Sequence, residues 1–235
     1  MTVVSLNLEA LHLEILSDRN ALADRAAEVL ATALRAPGPR SLIVTGGGTP
    51  GPTYDRLATW DLDWAATTVT LTDERWVEPV SDLSNEGLVR RRLLVGQAAL
   101  ATFLPLKGDG ASPQADALAA EAALRKLSPV AALVGMGDDG HIASLFPSAP
   151  GLDAALDPQG ERLCVGVAQA GLDPRVPRIS LTLRALLLAA RVVILVTGEP
   201  KRALLERVAA DPAYHPPVAA ILRQSLTPVL VLWAP

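Results

Sequence analysis

The tightest constraint on the fold is a set of short apolar runs with no polar residue inside them. Val192-Val-Ile-Leu-Val196 and Val229-Leu-Val-Leu-Trp233 are the clearest, and the core of Ser41-Leu-Ile-Val-Thr45 is similar. A strand with one wet face alternates apolar and polar residues. A strand without that alternation is covered on both faces, as in parallel sheets flanked by helices. Strands are expected at 41–45, 67–71, 101–104, 130–134, 163–167, 191–196 and 228–233. Helices are expected between them, at 17–35, 50–59, 84–95, 112–127, 199–209 and 216–223. In the first, Leu22, Ala26, Val29, Leu30 and Ala33 share one face. This alternation predicts an α/β fold: a doubly wound, mainly parallel sheet with helices on both faces. The 235 residues suit one domain spanning 1–235. Ligands of such sheets bind beyond the carboxyl ends of the strands, so the loops there are where chemistry is sought.

Composition narrows the function classes. Acidic and basic residues are mixed, and the net charge is -4, so no basic stripe for nucleic acid is expected. No apolar run reaches the ~20 residues of a membrane span, and the first residues lack a basic start. The expectation is a cytoplasmic protein with no nucleic-acid or membrane partner, monomeric or homodimeric. The single cysteine, Cys164, excludes an intrachain disulfide and reads as a buried thiol in a strand. Residues 105–113 and 147–161 read as surface loops.

Thr45-Gly-Gly-Gly-Thr-Pro50 follows one strand and opens a helix. Gly46, Gly47 and Gly48 leave backbone N–H groups uncovered, and successive N–H groups make an anion-binding concavity. Thr49 is the expected cap and Pro50 the first helical residue. The loop reads either as a phosphate cradle or as a tight turn without a ligand. It is neither a Walker A loop nor G-x-G-x-x-G, so nucleotide binding is not indicated.

Asp73-Glu-Arg-Trp76 follows the strand 67–71. Arg75 can hold a phosphate or carboxylate in bidentate fashion, and Asp73 can orient a base or a sugar hydroxyl. Ser84 reads as the cap of the next helix. Of the three histidines, His141 alone follows a strand within a glycine-rich loop and beside two carboxylates, Asp138 and Asp139. Imidazole can take a proton from water and return it to a leaving group. Either aspartate can fix its tautomer. No metal site is expected, since ligand-spaced His or Cys pairs are missing from the sequence. Ser144 is not in a nucleophile elbow and reads as a helix-start or substrate-contacting residue. Arg178 precedes a helix. Lys201 falls in the first turn of another, where the macrodipole disfavours a cation unless an anion binds beside it.

These segments, in this order, resemble the 6-phosphogluconolactonases of the glucosamine-6-phosphate isomerase/6-phosphogluconolactonase family. They are Thr-Gly-Gly-Gly-Thr-Pro (45–50), Asp-Glu-Arg-Trp-Val with Asp-Leu-Ser-Asn (73–85), Gly-Met-Gly-Asp-Asp-Gly-His-Ile-Ala-Ser-Leu-Phe-Pro (135–147), Pro-Arg-Ile-Ser-Leu-Thr (177–182) and Val-Thr-Gly-Glu-Pro-Lys (196–201). The resemblance runs from about residue 17 to the end. It implies hydrolysis of 6-phospho-D-glucono-1,5-lactone without a cofactor, on a fold shared with glucosamine-6-phosphate deaminases. It implies His141 as general base, with Asp139 supporting its loop. It implies Gly46–Thr49, Arg75 and Lys201, with Arg178, as substrate and phosphate contacts. The deaminase relatives continue Gly-His-Ile-Ala with Phe-Asn-Glu-Pro, whereas this chain has Ser-Leu-Phe-Pro and lacks that glutamate. Asp138 stands where the lactonases often have proline.

Overall fold

A computed structural model describes residues 11–168 and 175–235. Residues 1–10, which carry the reading of the chain's start, lie outside it. The described strands are β1 (Leu11–Ile15), β2 (Arg40–Val44), β3 (Thr67–Leu71), β4 (Asp73–Arg75), β5 (Thr102–Leu104), β6 (Pro129–Gly135), β7 (Cys164–Val167), β8 (Arg178–Leu181), β9 (Val192–Thr197) and β10 (Val229–Ala234). The helices are α1 (Arg19–Leu34), α2 (Gly51–Leu57), α3 (Asn85–Arg92), α4 (Pro113–Leu124), α5 (Leu152–Ala155), α6 (Leu183–Leu187), α7 (Glu199–Ala210) and α8 (Pro217–Arg223).

The main sheet has seven strands in the order β1-β10-β9-β6-β2-β3-β5. All its pairings are parallel. Every residue of β2 and β10 is buried, so both faces of the sheet are covered, as the unbroken apolar runs require. α1 packs against β2, β6, β9 and β10, and α7 against β9. Asp18 caps α1, its carboxylate accepting from the N–H groups of Asn20 and Ala21.

Strand order sets the place of the site. From β2 the chain proceeds to β3 and β5 on one side. From β6 it proceeds to β9 and β10 on the other. The reversal lies between β2 and β6, which pair directly. The two loops leaving their carboxyl ends diverge and open a crevice. Those loops begin at Thr45 and Met136, the glycine loop and the histidine loop.

The structure departs from the sequence expectation mainly in a second, smaller sheet. β7, expected as a strand of the main sheet, pairs instead with β8 in a three-stranded antiparallel sheet, β4-β8-β7. Its residues are only partly buried after Cys164, which suits an accessory sheet better than a central strand. The Asp73–Arg75 segment, expected as a loop, is a strand of this second sheet. The sequence leaves open whether the N-terminal 16 residues pair as a strand; β1 adds parallel to β10 at one edge. The expected surface loop 147–161 holds the short α5.

Cys164 is fully buried, and that burial pushes its thiol pKa up to about 12. The thiolate is the reactive form and is absent near neutrality. A disulfide reagent at pH 8 should leave the native protein unmodified and react once denaturant is added. Rapid reaction of native protein would contradict this placement.

Candidate active site

The accessory sheet turns Asp73, Arg75 and Arg178 toward the crevice, with Ser180 buried beside them. In an antiparallel pair, directly opposed residues point to the same face. Asp73 opposes Ser180, and Arg75 opposes Arg178, so these four share one face. Glu74, between Asp73 and Arg75, points to the other. Its carboxylate accepts from the N–H groups of Arg75, Asn85 and Glu86 and from the Ser84 hydroxyl. Ser84 caps α3 as expected, its hydroxyl accepting from the Gly87 N–H. Glu74 therefore ties the start of α3 to β4. Burial pushes its pKa above the ordinary carboxylate value, while its four donors oppose that rise.

Asn85, the first residue of α3, is buried against the crevice. Its amide donates to the Asp73 carbonyl, and its oxygen accepts from Arg75 Nη1 at 3.0 Å. A Cβ on Gly46 would lie 1.8 Å from Asn85 Oδ1, so the first glycine of the loop makes room for this side chain. Neither sequence periodicity nor charge singled out Asn85. Its only signal was its place in the Asp-Leu-Ser-Asn segment.

The cleft has a volume of about 240 Å³. Gly46, Gly47, Gly48, Thr49, Asp73, Arg75, His141, Arg178 and Lys201 all line it, with Asn85 and Thr197. Asp139 stands behind His141. Among the described residues, no protein acceptor takes the N–H groups of Gly46, Gly47, Gly48 or Thr49. The expected cap is not made. Pro50, not Thr49, occupies the cap position, α2 begins at Gly51, and no side chain covers its first turn. Tyr54, fully buried on α2, donates to the Thr45 carbonyl and anchors the loop's start.

Arg178 is 5% exposed and has no acidic partner within salt-bridge distance among the described residues. Its Nε, like that of Arg75, is buried without a hydrogen-bond partner. Burial and the neighbouring Arg75 push the Arg178 pKa below its ordinary value, against the pull of Asp73 and Glu74. Two adjacent guanidiniums with unused donors make a local positive field in a protein that is acidic overall. Asp73 is engaged elsewhere. It accepts from Ser144 Oγ at 2.6 Å and Thr72 Oγ1 at 2.9 Å. Ser144 is fully buried on this bond and starts no helix.

The histidine loop resolves which aspartate meets the imidazole. Asp139 Oδ1 lies 2.6 Å from His141 Nδ1 and also accepts the His141 N–H. Asp138 is turned away, 3.6 Å from Lys201 Nζ. With Nδ1 on a carboxylate, Nδ1 carries the proton and Nε2 is the basic nitrogen. Nε2 has no protein partner among the described residues. A Cβ on Gly137 would sit 2.1 Å from the imidazole, so only glycine lets the ring lie there. Lys201 Nζ donates to the Met136 carbonyl at 2.6 Å, which braces the loop from α7. Among the described residues, no three His, Cys, Asp or Glu side chains form a metal-ligating group.

Known proteins resemble this chain over almost its whole length. A 6-phosphogluconolactonase of Caulobacter vibrioides is 48% identical over 227 residues, covering 94% of this chain and 97% of that protein. The crystal structure of a 6-phosphogluconolactonase from Shewanella baltica OS155 superposes with a TM-score of 0.90 at 33% identity, covering 97% of this chain and 99% of that one. A monomeric glucosamine-6-phosphate deaminase superposes with a TM-score of 0.77 at 19% identity, over 95% of this chain and 97% of its own, a likeness of fold. The model of the family described as glucosamine-6-phosphate isomerases/6-phosphogluconolactonase matches residues 18–231, and this chain belongs to that family.

Proposed function

We propose that this protein hydrolyses 6-phospho-D-glucono-1,5-lactone to 6-phospho-D-gluconate, the second step of the oxidative pentose phosphate pathway, with His141 as general base. The observation that carries the reading is the pairing of two unlike walls in one cleft. One wall offers an imidazole with a free Nε2, oriented by Asp139. The other offers the open N–H groups of Gly46–Thr49 with Arg75 and Arg178, and Lys201 lines the same cleft from beside the histidine loop. A lactone with a remote phosphate needs both. Nε2 takes a proton from water, and the oxygen attacks the lactone carbonyl. The oxyanion is held by N–H groups or a guanidinium of the cleft. The imidazolium then returns the proton to the departing ring oxygen. Binding the remote phosphate supplies positioning, and a δ-lactone asks for a modest reduction in barrier.

Lys201→Ala removes a charge-assisted contact to the phosphate and should raise KM by about tenfold to a hundredfold. Acid release from freshly made lactone measures it, and an unchanged KM would count against the phosphate role. The fold also carries deaminases. Here the Gly-His-Ile-Ala segment continues Ser-Leu-Phe-Pro, so Phe146 stands in the place of the deaminase glutamate and that position brings no carboxylate to the cleft. Ammonia release from glucosamine 6-phosphate should be absent.

A further inference from the structure

We propose that Phe146 is a positioning residue shared by the two walls of the cleft, holding the Arg178 guanidinium and the His141 imidazole on one aromatic ring. The proposal rests on the roles given above to Arg178 and His141. Arg178 Cζ lies over the Phe146 ring, 5.3 Å from its centroid. The His141 ring centroid is 4.6 Å from that of Phe146, with the planes inclined at 48°. Phe146 is itself buried, so both contacts are made out of water.

Each contact answers a need the rest of the site leaves open. Arg178 is a buried cation with a cation, Arg75, directly across the strand pair. Asp73, which shares its face, already accepts from Ser144 and Thr72. The negative face of an aromatic ring is what remains to hold the guanidinium charged and still, and it does so without occupying the N–H donors an anion would use. His141 is fixed at Nδ1 by Asp139, but one hydrogen bond leaves the ring free to swing about it. The Phe146 ring supplies the second point of contact.

The backbone between them is built to deliver this side chain. The Leu145 N–H donates to the Ile142 carbonyl, which folds the chain back on itself. Ala143, at the turn, has φ of 49°, a conformation that L residues adopt only under constraint. The Ser144 N–H is held by Ser180 Oγ on β8, two residues from Arg178. The same turn thus carries Phe146 back toward His141 and registers it on the strand that bears Arg178.

The test replaces the ring's electrostatics while keeping its shape. Pentafluorophenylalanine installed at position 146 preserves the packing and reverses the charge of the ring face. Phe146→Leu removes the ring but keeps an apolar side chain. Inorganic phosphate is the binding probe, titrated calorimetrically, and the ¹⁵N shifts of the His141 ring report its bond to Asp139. Both proteins should bind phosphate about tenfold more weakly than wild type. The His141 ring shifts should move in Phe146→Leu, and KM and kcat for the lactone should both worsen. A ring that only fills space predicts otherwise: the fluorinated protein would bind phosphate within about twofold of wild type. That result overturns the proposal, whether or not Phe146→Leu folds. If phosphate binding weakens while even the wild type leaves the lactone untouched, the positioning role stands and the lactonase reading fails.

Discussion

His141→Ala should lower kcat for lactone hydrolysis by about 10²–10⁴-fold, the range general base catalysis contributes. KM should change little, because the groups read as phosphate contacts, Gly46–Thr49, Arg75, Arg178 and Lys201, all stay in place. The side chain is only partly exposed, and its loop is held by backbone bonds, Gly137 N–H to the His141 carbonyl and Val218 N–H to the Gly140 carbonyl. The variant should therefore fold, and the loss should be one of chemistry. Asp139→Asn should act in the same direction with a smaller loss, since an amide can present its N–H to Nδ1 and select the wrong tautomer. Near-normal turnover in His141→Ala would remove the base assignment. Unchanged turnover in Asp139→Asn would show that the aspartate does not set the tautomer.

Glu74→Gln should be the most damaging single-atom change to the framework. Four donors converge on this carboxylate, three of them backbone N–H groups. An amide keeps one acceptor and turns an NH2 donor against the other pair. Leaving buried donors unmatched costs about 2–4 kcal/mol, more than a surface substitution and comparable to a core cavity. For a chain of this length that corresponds to a fall in Tm of roughly 5–12 °C. The damage should reach the chemistry, because Glu74 joins β4, which bears Asp73 and Arg75, to the start of α3, which bears Asn85. KM should rise even in samples that remain folded. A thermal melt and a KM both within error of wild type would show that the α3 junction is held by something else.

The main sheet was legible because burial on both faces leaves a mark in consecutive residues. Val192–Val196 needs no partner to be recognised. The accessory sheet left no such mark. Asp73-Glu-Arg is polar throughout, and its partner β8 is about a hundred positions away, so the pairing that sets Arg75 beside Arg178 exists only in three dimensions. Candidate ligands could thus be named one by one, while their shared face could not. Glu74 read as one more charge in a loop, and nothing local distinguishes a carboxylate in water from one that caps a helix. Thr49 shows the opposite failure. Thr-Pro is a good helix-start pattern, yet the Gly51-Pro52 that follows moves the first turn onward and leaves Thr49 facing the cleft. The choice between Asp138 and Asp139 turned on the path of the loop through Gly137 and Gly140, which spacing alone leaves open.

The most direct measurement is acid production from freshly made 6-phosphoglucono-δ-lactone, followed in a pH-stat against the spontaneous opening of the ring. The wild-type protein should release acid much faster than the uncatalysed reaction, and His141→Ala should bring the rate back near it. A wild-type rate no greater than spontaneous opening, or one that His141→Ala leaves unchanged, would contradict the central claim.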